Sequence, residues 1–324
     1  MALILDVDGL RKYFPVYKGI FLRPKGYVHA VDNVSFSINR GETLGIVGES
    51  GCGKTTLGRC IIGLYKKTRG SVKFQGNDIF SFNRKELKKF RLKVQMIFQD
   101  PFESLDARQT VQEILKEKYI IHGKTHGLDM EVEIAKLLEK VGLQRSDMLK
   151  FPHEFSGGQR QRIGIARAIS LNPELIVCDE PVSALDVSVQ SKILNLLLQL
   201  QEDMGLTYVF ISHDLAVVKH ISDRIAVMYL GKIVEMADSD SIYNNSLHPY
   251  TRALLSAIPV PDPEINKKRV ILKGEIPSAQ NPPEGCRFHT RCSYAMSVCR
   301  KSEPVLVLSG NDTRHYVACH LHNQ

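Results

Sequence analysis

The chain has 324 residues, 43% hydrophobic and 24% charged, a globular balance that excludes collagen-like, low-complexity and largely disordered classes. Its net charge of +8 suits nucleic acid, an anionic membrane face or a polyanionic ligand such as a nucleotide, and does not choose among them. No apolar stretch approaches the roughly 18 residues that cross a bilayer, and the opening MALILDVDGLRKY has no basic segment ahead of its apolar residues. A secretory signal is therefore not expected, and the expected compartment is the cytoplasm. Seven cysteines are too sparse for a secreted disulfide scaffold, yet four of them, Cys286, Cys292, Cys299 and Cys319, crowd the end of the chain.

In chain order, Leu3, Leu5 and Val7 alternate with polar residues, as do Val34, Phe36 and Ile38, which predicts half-buried antiparallel strands. Residues 15–27, with two prolines and two glycines, read as a surface loop between them. A continuous apolar strand follows at 43–47. From 110 to 143 the period becomes helical, through Val111, Ile114 and Leu115 and then Ile134, Leu137, Leu138 and Val141. Apolar strands return at 175–178, 207–211, 225–228 and 232–236, with a Leu-rich helix over 193–200. Strands alternating with helices predict a parallel sheet covered on both faces. At Pro259 the composition shifts to a linker, PVPDPEINKKR, and the rest is Pro- and Cys-rich with little regular period.

Residues 48–55, Gly48-Glu49-Ser50-Gly51-Cys52-Gly53-Lys54-Thr55, match G-x-x-x-x-G-K-[ST] between a predicted strand and a predicted helix, the context this motif requires. Small residues let successive N–H groups turn inward around a β-phosphate, Lys54 reaches the β- and γ-oxygens, and the Thr55 hydroxyl is a Mg2+ ligand, with Thr56 next to it. A second element is the run Leu175-Ile176-Val177-Cys178-Asp179-Glu180, a buried strand ending in two acids. Alone such a pair is a solvated turn; behind a phosphate loop, Asp179 reads as a Mg2+ ligand and Glu180 as the acceptor of a proton from the attacking water. A third is Ser156-Gly157-Gly158-Gln159 ahead of an amphipathic helix, a second anion site at a helix N-terminus.

These motifs together resemble the ATP-binding cassette family, whose signature is SGGQ, over roughly residues 1–250. Gln99 in MIFQDP, the Ser183-Ala184-Leu185-Asp186 loop and His213 in ISHD stand in the family's order. The resemblance implies an α/β P-loop NTPase fold: a mixed core sheet, an antiparallel β subdomain and a helical subdomain at about 100–160. It further implies a head-to-tail dimer with ATP between the phosphate loop of one subunit and the signature of the other. Ser156, Gly157, Gly158 and Gln159 would then serve the partner's nucleotide, His213 the γ-phosphate and lytic water, and Gln99 the Mg2+ and a membrane partner. Asp186 would link the two sites. The family stacks adenine on an aromatic after the first strand; Phe14 fits best, with Tyr13 and Tyr27 as alternatives.

The insertion after Phe14, the run GESGCGKTTLGR and the tail HPYTRALL at 248–255 are similar to ATP-binding subunits of oligopeptide and dipeptide importers, of the F-type that pairs with a D-type subunit. Nickel importers share the tail. The expected partners are transmembrane permease subunits, a second ATP-binding subunit and, indirectly, a substrate-binding protein, with no nucleic acid, on the inner face of the cell membrane. The remainder, 251–324, forms a loop-rich extension whose C-x5-C-x6-C-x19-C spacing suggests a metal substituting for a core. The resemblance implies a structural [4Fe-4S] cluster on Cys286, Cys292, Cys299 and Cys319. Zinc, drawing on His289, His315, His320 or His322, and free or disulfide-bonded thiols remain alternatives. A soluble cassette protein acting on nucleic acid or ribosomes is the competing class; the single cassette and the absence of a heptad arm between Thr55 and Ser156 disfavour it.

Overall fold

The computed structural model describes residues 2–18, 23–100, 104–258, 270, 272, 274–309 and 314–322. In chain order the elements are β1 (Leu3–Lys18), β2 (Arg23–Asn39), β3 (Thr43–Val47), α1 (Lys54–Ile61), β4 (Arg69–Phe74), β5 (Asn77–Asp78), α2 (Arg84–Lys93), β6 (Val94–Ile97), α3 (Val111–His122) and α4 (Met130–Lys140). They continue as α5 (Gly157–Ile169), β7 (Leu175–Asp179), α6 (Val187–Met204), β8 (Thr207–Ser212), α7 (Leu215–Ile221), β9 (Arg224–Tyr229) and β10 (Lys232–Asp238). The last are α8 (Ser239–Asn245), α9 (Pro249–Ser256), β11 (Val307–Leu308) and β12 (Tyr316–Val317). Two units divide the chain: Met1–Ala2, Asn39–Glu42 and Ser81–Ile211 form one, and Leu3–Ile38, Thr43–Phe80 and Ser212–Gln324 the other.

In the first unit β6, β7 and β8 run parallel, with Val94 opposite Leu175 and Leu175 opposite Thr207. Every residue of β7 and β8 is buried. That is why their sequences are continuous apolar runs with no alternation. The helices begin where the sequence supplies caps. Thr110 and Glu113 form a capping box ahead of α3, Ser156 and Gln159 another ahead of α5, and Asp129 caps α4. Gly205, at φ +64°, closes α6 in the left-handed conformation that glycine adopts without strain. The predicted helical stretch is thus two helices, whose buried stripes are Val111, Ile114, Leu115 and Tyr119 on α3 and Ile134, Ala135, Leu137 and Leu138 on α4.

In the second unit an antiparallel sheet has the order β2-β1-β4-β5, and a further sheet carries β11-β12-β10-β9-β3. Only the β3–β9 pair of the latter is parallel. The sheet is mixed, as the resemblance implied; the all-parallel reading that strand and helix alternation alone would give ends at Leu230-Gly231, a two-residue turn with φ of +46° and +85°. Two positive φ values make the tight hairpin turn that folds β10 back antiparallel on β9.

Residues 15–27 also depart from the expected loop, because β1 runs to Lys18 and β2 resumes at Arg23. Both prolines lie within strands. The alternation of exposed Pro15 and Tyr17 with half-buried Phe14 and Val16 is the period-2 signal that the breakers obscured. The expected linker at 259–269 lies outside the described residues. The tail is loop-rich, yet β12 pairs with β10, Glu235 opposite Val317 and Met236 opposite Tyr316. Tyr229, Tyr250 and Phe288 meet with ring centroids 4.8, 5.3 and 5.4 Å apart, all at most 2% exposed. Burial of each contributes about 2–3 kcal/mol, which anchors the Cys286 to Cys292 segment.

Candidate nucleotide site

The phosphate loop runs from the fully buried β3 into α1. Helix α1 has no side-chain cap: Gly53 occupies the N-cap at φ +108°, and a Cβ there would lie 1.9 Å from the Ala30 carbonyl oxygen. A helix start that no side chain caps is of the kind that accepts an anion. Lys54, 4% exposed, donates from Nζ to the Gly48 carbonyl at 2.7 Å and the Glu49 carbonyl at 3.1 Å. Its ammonium sits within its own loop, held by two neutral acceptors that a phosphate oxygen outcompetes. Burial raises the Cys52 thiol, despite the Lys54 charge beside it, so this cysteine is a small packed residue and no nucleophile. Thr55 and Thr56 are half-buried on the first turn of α1.

In the other unit, β7 delivers Asp179 at 1% exposure, with Glu180 directly after it. Glu180 has φ +46°, a strained conformation for a residue with a Cβ, and its N–H donates to the Ile211 carbonyl at 2.9 Å. Ser183 returns to the Glu180 carbonyl through both its N–H (3.3 Å) and its hydroxyl (3.1 Å). Gln99, following β6, donates from Nε2 to Glu180 Oε2 at 3.1 Å. Two residues 81 apart in sequence thus meet at the ends of neighbouring parallel strands, where ligands gather in open α/β sheets.

The SGGQ segment caps α5. Gln159 N–H donates to Ser156 Oγ at 3.3 Å and Ser156 N–H to Gln159 Oε1 at 3.0 Å. A Cβ on Gly158 would lie 2.5 Å from Val189 Cγ1, and one on Gly157 would touch Leu185 at 3.4 Å, so the two glycines let the start of α5 lie against the 185–189 turn. Asp186 caps α6 by accepting from Val189 N–H at 3.0 Å and Ser188 Oγ at 2.8 Å. His213 is exposed after β8, ahead of Asp214, the N-cap of α7.

The aromatic candidates separate. Tyr13 donates its hydroxyl to Asp32 Oδ1 at 2.5 Å, and burial with that bond pushes the phenol up to about 12. Its ring lies 4.2 Å from His29. Phe14, the next residue on an alternating strand, instead meets Tyr65 edge-on at 5.5 Å with Lys12 Nζ 4.6 Å above its ring. Tyr27 is 50% exposed. Tyr13 is committed to Asp32, whereas Phe14 offers a face already suited to cations.

The four late cysteines are free thiols, Cys299 and Cys319 buried and Cys286 and Cys292 half-buried. Burial raises Cys286 to about 11, and the charges of Cys299, Cys319 and Cys292 push it the same way. The thiols therefore share one neighbourhood, but among the described residues no three His, Cys, Asp or Glu side chains stand as a formed metal site.

Sequence reasoning missed three contacts of the extension. Arg291 grips Glu49 of the phosphate loop with two bonds, Nη1 to Oε2 at 2.6 Å and Nη2 to Oε1 at 3.0 Å. Arg287 pairs with Asp32. Glu235, wholly buried on β10, accepts from His315 Nε2 at 2.7 Å, Leu247 N–H at 2.6 Å and His248 N–H at 3.0 Å. A lone Glu within the apolar run KIVEM was the signal for the last, since a buried carboxylate demands partners.

Comparison with known proteins matches residues 31–183 to the ABC transporter family and 234–299 to the oligopeptide/dipeptide transporter C-terminal region. The oligopeptide transport ATP-binding protein AppF of Bacillus subtilis is 53% identical over 323 residues, covering 99% of this chain and 98% of the relative. OppF of Salmonella typhimurium, named likewise, is 51% identical across 98% of this chain and 95% of its own. The dipeptide transport ATP-binding protein DppF of Haemophilus influenzae is 48% identical across 94% and 92%. Among solved structures, a dimeric post-hydrolysis ATP-binding cassette bound to ADP and Pi matches with a TM-score of 0.64 at 29% identity, over 73% of this chain and 99% of that one. The cassette cbiO1 of Clostridium perfringens, part of an ABC transporter complex, matches with 0.63 at 26%, over 76% and 92%.

Proposed function

Because the chain belongs to the ATP-binding subunits of the oligopeptide/dipeptide ABC transporter family, we propose that its two sets of functional residues form a Mg2+-dependent ATPase engine for peptide import. The activity follows from the family: an ATP hydrolase that works with membrane permease subunits and as a pair of cassettes. The observation that carries the residue assignment is the strand-to-helix loop in which an uncapped helix N-terminus and the buried Lys54 ammonium converge. Lys54 takes the β- and γ-oxygens, and the loop N–H groups around Gly51 and Gly53 take the β-phosphate. Thr55, Gln99 and Asp179 are hard oxygen donors that fit Mg2+, which when bound neutralises charge on the β- and γ-phosphates. Glu180 accepts the proton of the attacking water, with Gln99 orienting its carboxylate and His213 contacting the γ-phosphate. Ser156, Gly157, Gly158 and Gln159 serve the nucleotide of the paired cassette, Asp186 links the two sites, and Phe14 stacks adenine.

The cassette occupies 1–250 and the extension 251–324. Among the described residues no helix is long and apolar enough to cross a membrane. The family role, beside permease subunits, supports a place on the inner face of the membrane in this reading. Reconstitution with the permease subunits in vesicles tests this function. Peptide delivered by a binding protein should stimulate ATP hydrolysis, and Lys54→Ala should abolish it. Stimulation by nickel alone would move the substrate assignment to a metal importer, and tight, salt-dependent duplex binding without permease coupling would overturn the importer reading.

Cys286, Cys292, Cys299 and Cys319 fit a [4Fe-4S] cluster in kind, as four free thiols in the loop-rich extension, the ligand type such clusters take; burial raises Cys286, Cys292 and Cys319, and a cationic centre would relieve that cost. Zinc is the second reading. Anaerobically purified protein should be brown and contain iron and acid-labile sulfide; colourless, iron-free protein refutes the cluster.

A further inference from the structure

Glu49 places a carboxylate within a loop that receives a ligand of about four negative charges. That carboxylate is not left bare. Arg291, with a side chain only 7% exposed, binds both its oxygens in a fork at 2.6 and 3.0 Å. Two parallel bonds of this kind fix orientation as well as charge. The same residue is held by its main chain, since Glu49 N–H donates to the Tyr250 hydroxyl at 2.9 Å, and its carbonyl accepts from Lys54. Arg291 is itself fixed: its N–H closes a turn on the Phe288 carbonyl at 3.0 Å, and its guanidinium lies 5.9 Å above the Tyr229 ring. Tyr250, Tyr229 and Phe288 are mutually packed. One aromatic cluster therefore seats both ends of the clamp on Glu49.

We propose that Arg291 is a positioning residue for nucleotide binding: it neutralises Glu49 and holds the carbonyls on which Lys54 rests, so the Cys286 to Cys292 segment sets ATP affinity from 242 residues away in sequence. This rests on the loop binding ATP. Without Arg291, the Glu49 charge repels the incoming phosphates and is free to draw Lys54 towards itself. The loss then comes from the anion, and a neutral residue at 49 removes it.

The test uses the full chain, with β,γ-imido-ATP and ADP as probes. Arg291→Ala should weaken imido-ATP binding about tenfold, one uncompensated charge in a partly buried site, and ADP binding less, because ADP carries fewer charges. Arg291→Lys, which keeps the charge and loses the fork, should fall between. Glu49→Gln alone should bind as tightly as the unaltered chain or tighter, and the pair Glu49→Gln with Arg291→Ala should recover to within about twofold. A double variant as weak as Arg291→Ala overturns the proposal and leaves Arg291 a packing residue. Unchanged binding in Arg291→Ala overturns it as well. If Arg291→Ala does not fold, Arg291→Lys and Glu49→Gln carry the test, and a tenfold loss in Glu49→Gln is the refuting result. If Lys54→Ala leaves nucleotide binding unaltered, the ATP-loop reading itself fails.

Discussion

Glu180→Gln is the substitution that isolates chemistry from architecture. The backbone at 180 is pinned by its N–H to the Ile211 carbonyl and by Ser183 on its own carbonyl, and neither bond involves the side chain. The amide oxygen of glutamine still accepts from Gln99 Nε2, now 3.1 Å from Glu180 Oε2. Only basicity is lost. A positioned general base contributes roughly 10² to 10⁴ in rate, or about 3–5 kcal/mol of barrier. ATP hydrolysis in the permease complex should therefore fall at least 10²-fold, while ATP affinity and ATP-driven pairing of cassettes persist or strengthen. The assay is steady-state phosphate release beside equilibrium nucleotide binding. Turnover within about threefold of the unaltered chain would refute Glu180 as the base.

Gly53→Ala should lose nucleotide binding with the chain still folded. The new Cβ meets the Ala30 carbonyl oxygen at 1.9 Å with the backbone at φ +108°, a strain of at least about 1–2 kcal/mol; tight binding in this variant would contradict the close approach. Stability should fall in acid. Burial depresses His248 from 6.5 to about 4, so the unfolded chain takes up a proton that the fold refuses, and stability present above pH 6.5 declines as pH falls towards 4. Complete refusal is worth about 3 kcal/mol. Glu235 also lies below its ordinary range, against burial, through its bonds to His315, Leu247 and His248, so its contribution is lost as pH falls through that lowered value. Urea unfolding at pH 7.5, 5.5 and 4.5 should show a steady decline, and a flat profile would refute the buried-histidine argument.

Local order made much of the fold legible. Apolar runs at 175–178 and 207–211 became the fully buried β7 and β8 because a parallel strand with both faces covered has no polar side to announce. The helical period from Val111 to Val141 became α3 and α4 for the corresponding reason. What failed was the weighing of breakers. Pro15 and Pro24 suggested a loop, but strands tolerate proline where its missing N–H costs no ladder bond. Leu230 hid the β9–β10 turn, since a leucine at positive φ is not a turn residue by composition, and only Gly231 beside it hinted at the reversal.

The site was legible in its parts and illegible in its joins. Gly53, Lys54, Asp179 and Glu180 lie at features within a few residues of themselves, a helix start with no side-chain cap and a strand end at positive φ, so short motifs suffice to mark them as candidates. Glu49 occupies one of the four unspecified positions of the phosphate-loop pattern, and Arg291 lies in a segment whose only visible pattern was its cysteines. Neither residue carries a signal alone. A carboxylate beside a polyanion site is unfavourable until something neutralises it, and that conflict is the one trace of the pair that the sequence holds. The extension is accordingly bound to the loop by charge as well as by the Tyr229, Tyr250 and Phe288 cluster. Loss of order around Cys292 would therefore reach the nucleotide through Arg291 before it reached any residue of the known motifs.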